Sequence, residues 1–378
     1  MSKNRLLYID NLRLLMIIMV VIQHLAITYC SRAEWAEWYY IEFAPIGFFQ
    51  TAFFGFFLSF TQGYFMGLMF LIAGYFVPAS YDKKGFGKFI KDRLVRLGIP
   101  VLVFVFLITP FILICILRYP IDMVFKLYFG TLFILQGTGP LWFALALLIF
   151  SIVYALIRKF IMPNVKITDK DFPSHIKMIG LILLLGACTF LVRIVQPVGT
   201  THAIAGMKIG NFCQYIIMFR IGILCKRNQW FEKLDYARVK PWIVITVFPF
   251  AFISWAAFMH FGGAYDNFIV FSGGVTWQSA AFSLWESYVS VSTSVSLIAF
   301  FKEKFNKQNK LIKFMSENAF SVYVFHTPII LGLMLLFAPV NFLPIIKFAM
   351  LIPISIIVCF LFTHFTIRKI PFLRKLFM

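Results

Sequence analysis

Two histidines and a few arginines sit where a lipid-facing sequence has least use for them. The segment YIDNLRLLMIIMVVIQHLAITYC carries Asp10 and Arg13 at one end and His24 well inside. An ionisable group at bilayer depth costs at least ~2.5 kcal/mol on insertion scales, so each one marks a candidate site. Arg13 and His24 are eleven residues apart. At 100° per residue that is about 20° past three full turns, which puts both on one helical face roughly 16 Å apart. The segment SENAFSVYVFHTPII places His326 about 15 Å above its start, near the depth of His24. Two imidazoles at one level could face each other across a cavity, and neutral imidazole is the side chain best suited to move protons near pH 7. The alternative is a snorkelling arginine and two unrelated polar contacts between helices.

A second cluster lies in KKGFGKFIKDRLVRLGIP, where Arg93 and Arg96 are spaced i, i+3 and Lys91 is close by. Planar guanidinium forks suit phosphate oxygens, so this is a candidate seat for a phosphorylated cofactor; the competing role is a cationic anchor to head groups. Arg193, Arg220 and Glu286 also fall in apolar stretches. Arg193 and Glu286 could form an ion pair or line an acceptor mouth, and Asp10 and Trp142 join these three as structural or acceptor-site candidates.

These residues need elements to hold them, and the composition says which. Of 378 residues 61% are hydrophobic and 13% charged, with a mean hydropathy of +0.88. That excludes an ordinary soluble domain and implies an all-α integral membrane protein, one transmembrane domain over 1–378. Ten apolar segments are legible: Leu12 to Cys30, Gln62 to Pro78, Leu97 to Leu117, Pro140 to Ile157, Met178 to Val195, Ile209 to Cys225, Trp242 to Met259, Ala281 to Phe301, Asn318 to Phe337 and Phe342 to Ile367. With both termini cytoplasmic, 28 of the 35 Lys and Arg fall in inside segments, as the positive-inside rule requires. The net charge of +20 therefore reads as a topology signal and not as nucleic-acid affinity. Counting Pro45 to Phe60 as an eleventh span would put the basic stretch Lys83 to Arg96 outside, so 45–60 is expected to be an extra outer or re-entrant segment. The six cysteines have no metal-site spacing, and no metal is expected.

Five motifs occur in order: Asp10-x-x-Arg13 with His24, FLIAGYF at Phe70 to Phe76, Arg93-x-x-Arg96 with Pro100, GPLWF at Gly139 to Phe143, and YVFHTP at Tyr323 to Pro328. Together they resemble the membrane acyltransferase type 3 family, which includes polysaccharide O-acetyltransferases and a glucan-succinylating branch; Ala73-Gly74-Tyr75 looks nearer that branch. The resemblance covers nearly the whole chain. It implies a multi-pass cell-membrane enzyme that moves an acetyl- or succinyl-type group from cytoplasmic acyl-CoA to a hydroxyl of a cell-envelope carbohydrate or lipid-linked glycan. Acyl-CoA, with acetyl-CoA the first candidate, would be a donor substrate and not a permanent cofactor. His24, Arg13 and His326 would be catalytic, with His24 deprotonating the acceptor or briefly carrying the acyl group, and Arg93, Arg96 and Lys91 would hold the donor phosphates. The rival readings are a transporter or flippase for a lipid-linked glycan, with the same polar residues lining its path, and a non-enzymatic membrane sensor.

Overall fold

The computed structural model describes residues 5–31, 40–130, 137–163, 167–199, 207–264 and 267–377. Among them there is helix and no strand, as expected of a chain that must satisfy its backbone groups without water. The long helices are α1 (Leu7–Tyr29), α2 (Phe48–Lys84), α3 (Phe86–Ile116), then a short α4 (Ile121–Gly130), followed by α5 (Gly139–Phe160) and α6 (His175–Val195). After these come α7 (Phe212–Arg227) and α8, which runs through three consecutive pieces, Tyr236–Pro241, Trp242–Phe250 and Ala251–Phe261. The chain continues with α9 (Trp277–Lys304), α10 (Lys310–Phe337), α11 (Pro344–Ile367) and a short α12 (Pro371–Phe377).

Eight helices among the described residues are long and apolar enough to cross a bilayer: α1, α2, α3, α5, α6, α9, α10 and α11. The other two apolar segments read from the sequence are helical as well, but less simply. Helix α7 has 16 residues, about 24 Å at 1.5 Å per residue. Helix α8 is wound as π-helix over Trp242–Phe250, where Pro249 interrupts the ordinary ladder. Helix α3 has the same device three times, with π turns at Leu94–Gly98, Phe104–Ile108 and Ile112–Ile116 flanking Pro100 and Pro110. Proline lacks the N–H that an α-helix needs, and a widened turn re-satisfies the carbonyl it would strand.

The expected outer or re-entrant segment at 45–60 is corrected by the structure. Residues 48–60 are the first turns of the 37-residue α2, continuous with the FLIAGYF motif. No proline occurs between Phe48 and Val77, so the ladder runs through Ser59, Thr61 and Gln62, whose polarity looked like a break between segments. They are polar because they face protein. Thr61 donates to the Phe57 carbonyl at 2.6 Å and bonds Gln23 of α1, and Gln62 donates to the Tyr215 hydroxyl of α7 at 3.1 Å.

The basic segments gather at one end of the bundle. Asp82 takes Arg158 and Arg227, Thr168 bonds Arg227 through the backbone, and Lys302 donates to the carbonyls of Phe231, Glu232 and Leu234. Asn11 bonds the carbonyls of Phe305 and Lys307, and Arg368 pairs with Glu317. At the opposite end Lys347 pairs with Glu42 and Val198 bonds Ser272. One end is thus cationic, which is the asymmetry the charge count anticipates.

Close packing explains the glycine of FLIAGYF. A Cβ on Gly74 would collide with the Phe219 carbonyl of α7, and one on Gly222 with the Leu71 carbonyl of α2. Small residues let helix backbones approach where lipid offers no hydrophobic drive for association. Helix α9 follows the same logic. It is the least apolar of the spans, and 72% of its most apolar stretch is buried in the bundle, against 33% for α6 and α11, because its run of Ser and Thr has no place against lipid.

Candidate active site

One face of α1 carries Asp10, Arg13, Ile17, Val20, His24 and Ile27, a three-and-four spacing, and all six border a cavity of about 2210 Å³. The shared face expected for Arg13 and His24 is therefore present. Arg93 and Arg96, set on and beside the first π turn of α3, border the same cavity at its basic end. Trp142 of α5 borders its middle, and Glu286 of α9 its far end. A drug-sized ligand fills about 300–1,000 Å³, so the cavity has room for two reactants at once.

His24 and His326 do not face each other across this space. His326 of α10 is fully buried directly behind His24, and its Nε2 lies 3.3 Å from His24 Nδ1, with ring centroids 5.0 Å apart. His24 Nδ1 also lies 2.9 Å from the Val20 carbonyl, and His326 Nδ1 lies 2.7 Å from the Tyr323 carbonyl. Carbonyl oxygens only accept, so the partners assign a proton to Nδ1 of each neutral ring. His326 Nε2 then accepts from His24 Nδ1–H. The basic nitrogen of His24 is consequently Nε2, on a ring that borders the cavity, and the pair is held by two backbone carbonyls. Tyr323 extends the frame, donating its hydroxyl to the Pro140 carbonyl at 2.5 Å and so tying YVFHTP to GPLWF.

The arginines have distinct surroundings. Arg13 lies over the Phe76 ring at 5.5 Å, and Arg93 over the Phe89 ring at 5.0 Å, with a buried Nε that has no hydrogen-bond partner. Arg96 shares Asp92 with Lys84. Lys91 is exposed and lies outside the cavity wall, because two residues of helix turn it about 200° from Arg93. Asp10 is paired with Arg5.

Arg193 and Glu286 form the expected ion pair at the far end. Arg193 is 1% exposed and also donates to the Gly210 carbonyl at 3.2 Å and to Asn211 Oδ1 at 2.6 Å, so its charge is spent inside the protein. Glu286 borders the cavity and Arg193 stands behind it. Arg220 is exposed on α7 and does not border the cavity.

Several cavity residues escaped the sequence reading. Gln23 and Gln62 line the middle beside His24, and Tyr215 stacks on Trp142 with centroids 5.5 Å apart and an interplanar angle of 29°. Their signal was weak, since amides and tyrosines in helices are common. At the basic end Arg368, Lys369 and Arg374 join the wall, though in the sequence they read only as a cytoplasmic tail.

Comparison with known families gives the assignment. Residues 6–364 match the family model Acyl_transf_3, described as an acyltransferase domain, and the chain belongs to that family. No curated protein and no solved structure matched it.

Proposed function

We propose that this chain is a membrane-bound O-acyltransferase that takes an acetyl- or succinyl-type group from cytoplasmic acyl-CoA and delivers it to a hydroxyl of a cell-envelope carbohydrate. It would span the cell membrane ten times, with α7 and α8 as the two irregular spans, both termini inside and the cationic end facing the cytoplasm. The observation that carries this reading is a single cavity joining a basic mouth to a histidine whose Nε2 is its basic nitrogen.

In this account Arg93, Arg96 and Arg13 receive the anionic part of the donor, and the uncharged thioester arm extends inward to His24. The acceptor enters from the far end, past Glu286, Tyr215 and Trp142. Nε2 of His24 takes the acceptor hydroxyl proton as that oxygen attacks the thioester carbonyl. The tetrahedral intermediate collapses with cleavage of the C–S bond, and the departing thiolate takes the proton back from His24. His326, which does not border the cavity, is a positioning residue that holds the His24 tautomer and steadies the imidazolium as it forms.

The test separates chemistry from binding. His24→Gln keeps a polar side chain that can bond between helices but accepts no proton near neutral pH. Transfer from radiolabelled acetyl-CoA to envelope glycan should fall about 100- to 10,000-fold while acyl-CoA binding persists. A folded variant with near-normal transfer would remove His24 from the chemistry.

A further inference from the structure

We propose that Lys369 and Arg374 form a second half of the donor-phosphate site, extending the grip of Arg93 and Arg96 on the phosphates of coenzyme A. This rests on the acyl-CoA reading above. Both residues lie past position 364, the last that the acyltransferase family model matches, so nothing in that match assigns them a role. Both border the same cavity as Arg93 and Arg96.

They are not on a dangling tail. Phe377 is fully buried, its ring 5.1 Å from that of Phe325, and its carbonyl accepts from the Ser321 hydroxyl at 2.7 Å. Helix α12 also packs on Leu94–Gly98, the π turn that carries Arg96. Arg374 is therefore carried by a helix packed against the turn that bears Arg96, and Lys369 lies just before that helix.

The acids of this mouth pair with only some of its cations, and Asp92 takes Arg96. Asp10 is taken by Arg5, and Glu317 by Arg368 at 3.5 Å. Among the described residues, neither Lys369 nor Arg374 has a carboxylate partner. Cations gathered around a concave mouth fit a ligand with several phosphates. A head group at the membrane surface offers the same phosphate chemistry, but this mouth continues inward to His24, as suits a polyanion with a long uncharged arm.

The experiment measures coenzyme A binding calorimetrically to the full chain in phosphatidylcholine nanodiscs. Lys369→Gln with Arg374→Gln should weaken binding about tenfold and flatten its salt dependence. Lys369→Arg with Arg374→Lys should keep most of the affinity, and Lys88→Gln, an exposed residue outside the cavity, should keep all of it. If the wild type binds and the double glutamine variant binds equally well, this proposal fails while the acyl-CoA reading stands. If phosphatidylglycerol in the discs competes with coenzyme A only in the wild type, and the variant binds normally without it, the cations serve lipid phosphate and the proposal is overturned. A wild type that binds no coenzyme A overturns both.

Discussion

Replacing His326 tests whether the histidine pair works as one acid-base unit. His326→Leu removes the acceptor at 3.3 Å from His24 Nδ1 and leaves the Val20 carbonyl at 2.9 Å as the remaining partner described for that N–H. In the ground state the loss is one neutral hydrogen bond, worth about 0.5–1.5 kcal/mol. Once His24 holds the acceptor proton it is an imidazolium, and a hydrogen bond from a charged donor is worth about 1.5–3 kcal/mol. The difference falls on the transition state, so kcat should drop about 10-fold or somewhat more, with KM for acyl-CoA little changed. His326→Gln is the informative companion. Its amide oxygen can accept from His24 while its NH2 donates to the Tyr323 carbonyl, so it should recover most of the lost rate. The assay is steady-state transfer at varied acyl-CoA, with folding checked by size-exclusion and thermal melting in detergent. A leucine variant within twofold of wild-type kcat would refute the positional role. Equal damage from leucine and glutamine would show that His326 matters for shape alone.

Three further outcomes follow from packing and topology. Gly74→Ala or Gly222→Ala forces a methyl group into a facing backbone carbonyl, so each should destabilise the fold by about 1–3 kcal/mol or more, read as a lower melting temperature. Arg193→Leu leaves Glu286 buried and unpaired and should cost about 3–5 kcal/mol, whereas the double variant with Glu286→Leu should regain much of it; no regain would mean that Arg193 acts through its bonds to Gly210 and Asn211. In a cysteine-free background, cysteines at Lys83, Lys240 and Lys313 should react with an impermeant reagent from one side only, the cytoplasmic one. Labelling of position 83 from outside would overturn the ten-span topology.

Much of this arrangement was legible in the sequence, for two physical reasons. Lipid makes every buried charge costly, so Arg13, His24, His326, Arg193 and Glu286 stood out against apolar surroundings. Helical periodicity then placed Arg13 and His24 on one face without any tertiary information. The failures have equally definite causes. The stretch 45–60 reads as a segment separate from the span that starts at Gln62, because polarity in a one-dimensional reading cannot separate water from a polar neighbour on the next helix. Lys91 was grouped with Arg93 by proximity in the chain, although helical phase turns it away. His326 was given the right depth but the wrong relation to His24, because depth alone does not tell whether two side chains touch or oppose each other across a space.

Contact between the two rings also explains how the proposed acid-base residue can sit within a bilayer. A lone His24 would still have the Val20 carbonyl of its own helix for its Nδ1–H, but the imidazolium it becomes would lack a second acceptor. Here the Val20 and Tyr323 carbonyls set both protons, and the second ring converts what would be a stranded lone pair into an acceptor for the first. The partner of a membrane histidine is then selected for its lone pair and not for its charge. A carboxylate in place of His326 would add a buried negative charge with no cation among the contacts described for that position. A neutral histidine fixes the same tautomer without it, which gives a physical reason for two histidines 302 residues apart in sequence to meet at this depth.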